Sequence, residues 1–335
     1  MDRRIAYDPF YDPRNPGEFD PKNLNFLVLK LDPTTGAVLE WICDDPTGEG
    51  GNFAPTIFVQ EPDIVYLSGL GGIYSPSPFE IAAAICVTAK YDLSRSSPEV
   101  WSRIFRPAFP FIPSLAVDST GVYVTTATEY HDLTTQLRIL HGVILKYDLL
   151  NGDLLWKYED TSSDLNFFTS IQVSQEGVFV TGGSATVEGD WFVTTAKHSP
   201  DDGNRVWIRH GWDLYRWYWD WWGYYRPKIK LDQDGNILVI SPGYYNEIFQ
   251  GGIIKYSADG IAIGTAGFNG LPSDLAITPP GVYVTGTLTF QGPADYITAL
   301  YDHDLNLIWE ARYGPESYVT YYDAAVGLGL SLIHI

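Results

Sequence analysis

The residues most able to do chemistry in this 335-residue chain are packed into Gly211–Arg226, GWDLYRWYWDWWGYYR. Trp212, Tyr215, Trp217, Tyr218, Trp219, Trp221, Trp222, Tyr224 and Tyr225 crowd it, with Asp213, Arg216 and Asp220 between them. Rings at this density in a loop can form a flat apolar platform that stacks on sugar rings or on a partner's apolar patch. Tyrosine and tryptophan also favour protein interfaces. The same loop could instead fold over its own sheet and bury its rings. Tyr130, His131, Tyr244 and Tyr245 lie in connections expected to share a face with this segment, and complete the candidate ligand-binding set.

Metal and catalytic signals are weaker. Asp232, Asp234 and Asn236, in DQDGN, resemble the start of a calcium loop, but the position of the closing glutamate is Gly243, so the pattern fails. Turn chemistry explains these acids better. The six histidines show no HxxxH or HExxH spacing. There is no GxSxG, no Walker loop and no GxGxxG after a strand, so no local catalytic signature is present. Carboxylates are plentiful, but sequence alone does not pair them.

The elements that must position these residues are strands. Aromatic residues make up 15% of the chain, charged residues only 19%, and 32 glycines and 22 prolines supply turns. That mix suits short strands and tight turns rather than long helices. A net charge of −20 repels phosphate backbones, so nucleic acid is not an expected partner. The longest apolar run, Ile81 to Val87, is too short to span a bilayer, and no apolar stretch follows the basic Met1–Arg4 start. A soluble protein is expected, secreted, cell-surface or virion-associated. Cys43 and Cys86 form no CxxC pair and fall in apolar runs, where small buried core residues are expected.

Two motifs alternate along the chain. The first is a turn followed by a β-branched and aromatic run: PDIVYLSGL from Pro62, DSTGVYVTTAT from Asp118, QEGVFVTGGS from Gln175, DQDGNILVISPG from Asp232 and PPGVYVTGTLT from Pro279. An apolar stretch precedes each turn, which makes each a hairpin. The second motif is an apolar strand ending near Lys-Tyr-Asp, a polar turn, and a strand carrying tryptophan. Its copies end at Trp41, Trp101, Trp156, Trp207 and Trp309, and a degenerate copy, Gly252–Gly264, lacks the tryptophan. The matching positions Lys30, Lys90, Lys146, Lys197, Lys255 and Leu300 are 60, 56, 51, 58 and 45 residues apart. That period suits four-stranded blades with the excess in loops. The expected fold is an all-β propeller of four-stranded antiparallel blades, with five complete two-hairpin units and partial terminal blades. The repeated tryptophans are expected to pack between neighbouring sheets.

Lys146-Tyr147-Asp148 through Gly152 to Trp156 resembles the tryptophan-docking motif of quinoprotein-type propellers. Gly281–Gly286 together with Leu300–Gly314 is similar to the bacterial SBBP β-propeller repeat. The resemblance covers about Phe26 to Gly314 and implies fold far more than function. Asp302–Trp309 lacks the glycine and the fifth copy lacks the tryptophan. No quinone-ligand set or vicinal cysteine pair is present, so no cofactor is expected.

Residues 1–24 read as an N-terminal arm and 25–329 as the propeller. A sixth hairpin starts at Asp323–Val326 without finishing, which implies six or more blades in a longer protein with exposed strand edges in this one. Leu330–Ile335 resembles a translated sequencing adapter and reads as a tail. The functional expectation is a non-enzymatic scaffold recognising a protein or glycan through the aromatic face. The alternative is a carbohydrate-active propeller enzyme, a glycoside hydrolase or lyase, with carboxylates in the central funnel.

Overall fold

The computed structural model describes residues 26–32, 34–44, 53–61, 63–74, 81–108, 113–131, 138–163, 165–185, 191–214, 226–245, 248–288 and 295–313. These residues are all strand and turn, with no helix among them. The N-terminal arm, the unfinished sixth hairpin and the six-residue tail lie outside them. The chain divides into two compact units, 1–140 with 144–157, and 141–143 with 158–335.

In the first unit, β1 (Phe26–Leu31) and β2 (Val38–Asp44) form a two-stranded antiparallel sheet. The strands β3 (Phe53–Glu61), β4 (Ile64–Tyr74), β5 (Ile81–Asp92) and β6 (Glu99–Ala108) follow as a four-stranded meander. So do β7 (Ser114–Asp118), β8 (Gly121–His131), β9 (Arg138–Tyr147) and β10 (Leu154–Glu159), with part of β9 and the end of β10 assigned to the second unit. The second unit holds three more such sheets. They are β11 (Asn166–Ser174), β12 (Gly177–Ala185), β13 (Trp191–His198) and β14 (Arg205–Leu214); β15 (Lys228–Leu231), β16 (Ile237–Tyr245), β17 (Ile248–Tyr256) and β18 (Ala262–Phe268); and β19 (Leu271–Thr278), β20 (Gly281–Leu288), β21 (Asp295–Tyr301) and β22 (Leu307–Tyr313). Each pairs its strands in sequence order, the arrangement of a β-propeller-like all-β fold.

The repeated residues have specific jobs in these sheets. In the second strand, alternate aliphatics face the core: Val65 and Leu67, Val122 and Val124, Val178 and Val180, Ile237 and Val239, Val282 and Val284 are all buried. In three of these sheets the residue between them points to the other face and lies under the recurring lysine. Lys90 sits 5.3 Å from the Tyr66 ring, Lys146 5.0 Å from Tyr123 and Lys197 5.4 Å from Phe179. The hydroxyl that follows the Val-x-Val pattern ties the second strand to the third. Ser68 donates to Val87 O, Thr181 to Thr194 O and Thr285 to Ile297 O, at 3.0–3.1 Å.

Sheets pack face to face within each unit. Val28 and Ile42 of the two-stranded sheet join Val65, Leu67, Ile85 and Val87 in one core. Phe179 and Val193 meet Ile237, Val239 and Ile254, and Leu238, Ile240 and Ile253 meet Val282, Val284 and Ile297. The first strands of successive sheets converge. Thr56 donates to Pro113 O at 2.6 Å in the first unit, and Thr169 to Pro227 O at 2.6 Å in the second. The fourth strands are edge strands of their sheets, and β18 and β22 are largely exposed.

Tryptophan docking occurs where the next turn can receive it. Trp101 is 5% exposed, between Tyr66 of its own sheet and Tyr147 of the next, and its indole N–H donates to Leu149 O at 3.3 Å. The indole covers Gly152, whose φ of +73° and missing side chain make the seat, since a β-carbon there would lie 2.6 Å from the ring. Trp207 repeats this on Ala258 O, at 3.1 Å, and on Gly260. The expectation is corrected at Trp41, which is 66% exposed. The turn it would meet, Asp92–Pro98, is longer and contains no glycine. It is corrected in part at Trp309, 41% exposed on the edge strand β22. Trp156 meets Tyr123 edge-on at 6.0 Å.

The two irregular repeats compensate each other. Gly264 pairs with Lys255, as Trp207 pairs with Lys197, so glycine stands where the tryptophan is missing. In the following turn Leu305 replaces the seat glycine and has a φ of 67°. Its buried side chain turns into the vacated space, with Cδ1 3.4 Å from where a β-carbon on Gly264 would be. Cysteine burial holds for Cys86 and is corrected for Cys43, which is exposed. Cys43 pairs with Leu27 across from β1, and the core residues of that hairpin are its neighbours in the alternation.

Candidate functional site

The aromatic segment is spliced between two well-placed strand ends. β14 carries the chain out through Trp212 and Asp213, whose backbone lies opposite Phe192, to Leu214 opposite Trp191. The chain returns at Arg226 and Pro227 and enters β15 at Lys228. Tyr215, Trp217, Trp219, Trp221, Trp222 and Tyr224, the centre of the expected platform, lie outside the described residues, and Trp212 is placed by its backbone alone. Tyr244 and Tyr245 close β16, opposite Phe249 and Ile248. Because β15 and β16 are antiparallel, Lys228 and these tyrosines lie toward one end of their sheet. Tyr130, exposed, and His131 end β8 in the first unit.

The strand that receives the segment carries a charge pair that sequence reasoning did not single out. Lys228 Nζ lies 3.4 Å from Asp274 Oδ1, bridging the first strands β15 and β19 of adjacent sheets. Both side chains are partly buried. A β-bulge between Pro272 and Asp274 re-aims the acid, and its Oδ1 also accepts Leu275 N–H at 3.0 Å. Ile229 N–H donates to Ser170 Oγ at 3.2 Å, which holds β15 against β11. A partly buried carboxylate on converging strands, next to a cation, can hydrogen-bond a polyhydroxylated ligand or exchange a proton with it. Sequence spacing gave no sign of it, because Lys228 and Asp274 are 46 residues apart and meet only through sheet packing.

A second polar centre ties down the connection from β10 to β11. Asp160 is buried and receives Arg205 Nη1 at 3.2 Å and Ser162 N–H at 3.0 Å. Asn166 accepts Gly142 N–H at 2.7 Å and donates to Asp160 O at 2.9 Å. His198 lies fully buried against Tyr158, at 4.4 Å between ring centres, and its Nδ1 is 3.0 Å from Gly203 O. Burial pushes its pKa down to about 4, against the weaker upward pull of the Gly203 carbonyl and Asp160, so the ring is neutral at pH 7. These groups read as support, with His198 Nε2 left buried and without a hydrogen-bond partner.

The weak metal candidate, Asp232 and Asp234, sits in a hydrogen-bonded turn. Asp232 accepts Asp234 N–H at 3.0 Å, Asn236 N–H at 2.8 Å and Asn236 Nδ2 at 2.9 Å, and pairs with Lys255 Nζ at 3.0 Å. Burial pulls its carboxyl upward, but Asn236 and Lys255 outweigh it and hold the group below the usual carboxylate range. Asp302 makes the same three hydrogen bonds with Asp304 and Asn306, so the pattern recurs as a turn. Among the described residues, no helix is long and apolar enough to cross a membrane.

No family model matches the sequence. No curated protein matches it either. Among solved structures, a eukaryotic initiation factor is similar with a TM-score of 0.43 and 11% identity, over 82% of this chain and 57% of its own. A glycoside hydrolase has a TM-score of 0.33 and 11% identity, over 63% of this chain and 48% of its own. A GH43_1 enzyme from Xanthomonas citri has a TM-score of 0.38 and 9% identity, over 82% and 90%. The chain thus spans about half the length of the first two. The non-enzymatic scaffold expected from the sequence is corrected here: a glycoside hydrolase and a GH43_1 enzyme stand among the similar structures. That expectation leaned on missing local motifs, whereas glycosidase carboxylates come from separate strands and leave no local motif.

Proposed function

We propose that this protein is a carbohydrate-active enzyme, a glycoside hydrolase or lyase, working at the end of the sheets that carries the aromatic segment. The observation behind this reading is the splice of Tyr215–Tyr225 onto β15, whose first residue Lys228 pairs with Asp274. Aromatic side chains stack on the apolar faces of sugar rings, and a nearby carboxylate supplies acid–base chemistry. Asp274 is assigned as one catalytic carboxylate. Asp213 and Asp220, from the aromatic segment itself, are the candidates for the second. Hydrolysis needs both: one carboxyl protonates the leaving oxygen while the other acts as nucleophile or activates water.

The same reading takes the sheets as blades of a propeller of the SBBP and quinoprotein-like kind, with six or more blades in the complete assembly. The tryptophan seats at Gly152 and Gly260 support that placement. The test is release of reducing ends, or of unsaturated ends for a lyase, from a panel of α- and β-linked polysaccharides. Asp274→Asn is expected to abolish turnover with the circular dichroism spectrum unchanged, and Trp221→Ala to weaken substrate binding. Absence of any product across the panel would overturn the reading.

A further inference from the structure

The sheet that feeds the aromatic segment departs from its own repeat at three positions. Counted from the recurring lysine, the cross-strand pair Thr194–His210 of β13 and β14 matches Val87–Ile104, Gly252–Gly267 and Ile297–Arg312 in other sheets. Ser184 of β12, counted the same way, matches Gly71, Gly243 and Leu288. None of those matched positions holds a hydroxyl or an imidazole. β12 and β14 end, and β13 begins, at the end of the sheet where the chain leaves for the aromatic segment.

The three side chains form a relay. Thr194 Oγ1 donates to Ser184 Oγ at 2.8 Å and lies 3.2 Å from His210 Nδ1. A hydroxyl has one proton, and Thr194 gives its own to Ser184. Toward the imidazole it can therefore only accept, so Nδ1 carries a hydrogen and the neutral ring keeps its lone pair on Nε2. Ser184 and Thr194 are buried, which fixes the relay in place, whereas His210 is exposed. The imidazole leans on half-buried Phe192, with 6.3 Å between ring centres and 60° between planes. Among the described residues, the hydrogen bond at Nδ1 is the one this ring makes.

We propose that His210 is a substrate-binding residue of the carbohydrate site, its Nε2 accepting a sugar hydroxyl while Phe192 meets the apolar side of the same sugar. An aromatic ring beside a polar group of fixed direction suits a ligand with one apolar side and a hydroxyl rim. The inference rests on the carbohydrate-active reading and narrows its substrate. His210 lies on a fourth strand and Asp274 on a first strand. Strands about 4.8 Å apart keep the fourth strand of a sheet about 14 Å from the first. His210 therefore holds a sugar remote from the bond broken at Asp274, and the substrate is an oligosaccharide or polysaccharide rather than a single glycoside.

Ring-nitrogen NMR correlations and affinity electrophoresis test this. The wild-type His210 side chain should read as the Nδ1–H tautomer. In Ser184→Ala the Thr194 proton is released and should turn to Nδ1, switching the ring to the Nε2–H tautomer and replacing an acceptor by a donor. In gels cast with the polysaccharide panel, His210→Ala should weaken retardation of the protein at least tenfold, about 1.4 kcal/mol, and Ser184→Ala should do the same although its imidazole remains. An Nε2–H ring in the wild type, or a tautomer unmoved by Ser184→Ala, would overturn the relay. Retardation unchanged in His210→Ala, or absent from every gel for the wild type, would overturn the contact, while release of product by the wild type would leave the enzyme reading standing. Retardation that depends on His210 with no product released would support the contact and sink the enzyme reading.

Discussion

Gly260→Ala isolates the energy of a docked tryptophan. The seat glycine has a φ of +76°, and alanine in that left-handed region costs about 1–2 kcal/mol. The new β-carbon would also lie 2.8 Å from Trp207 Cδ2 and 2.9 Å from Cε2. Ordinary carbon contacts sit at about 3.5–4.0 Å, so the indole must retreat by roughly an ångström. That shift strains a close contact, at about 1–3 kcal/mol, and stretches the 3.1 Å bond to Ala258 O, worth about 1 kcal/mol. The total is about 3–6 kcal/mol. Gly235→Ala is the internal control in the same unit. Its φ is +78° and nothing lies within 4 Å, so only the backbone cost of about 1–2 kcal/mol remains. Urea titrations followed by far-ultraviolet circular dichroism, with midpoints compared at a shared slope, give the difference. Equal losses in the two variants would refute the docking account, because the seat would then be an ordinary glycine turn.

Three further outcomes follow from the same contacts. Gly264→Trp and Leu305→Gly should each destabilise the second unit, the first by clash with Leu305 Cδ1 and the second by emptying a buried site, while the double variant should recover about 1–3 kcal/mol of coupling in a double-mutant cycle. His198 titrates at about 4 when folded and near 6.5 unfolded, so its stabilisation is complete above about pH 6.5 and is lost as pH falls toward 4. Stability measured against pH should therefore fall more steeply for the wild type than for His198→Gln across that window. Cys43 should react with a maleimide in the native protein, whereas buried Cys86, its thiol pushed up to about 11, should react only after unfolding.

Strand order was legible because its signals are local. Val-x-Val alternation, a glycine turn and the recurring lysine each act within one hairpin, and β4, β8, β12, β16 and β20 fall where the first motif places them. Docking was legible only in part, because a tryptophan's fate depends on a turn in the next repeat. Trp207 meets Gly260, but the turn that Trp41 would meet has no glycine, and Trp41 stays exposed. The Lys228–Asp274 pair was not legible at all. Neither residue sits in a motif, and only the convergence of first strands brings them together. Cys43 was misjudged because an apolar run does not say which of two alternating faces is covered.

The exchange between Gly264 and Leu305 bears on how such a chain can change length. A standard repeat carries its own tryptophan and its own seat glycine, so duplicating one beside another standard repeat leaves every junction matched. The junction before Leu305 has lost that interchangeability. A standard copy inserted there would bring an indole against a leucine side chain instead of a bare backbone. Growth or loss of repeats by recombination is thus open at the glycine junctions and closed at this one, and the paired substitution works as a fixed joint in an otherwise modular chain.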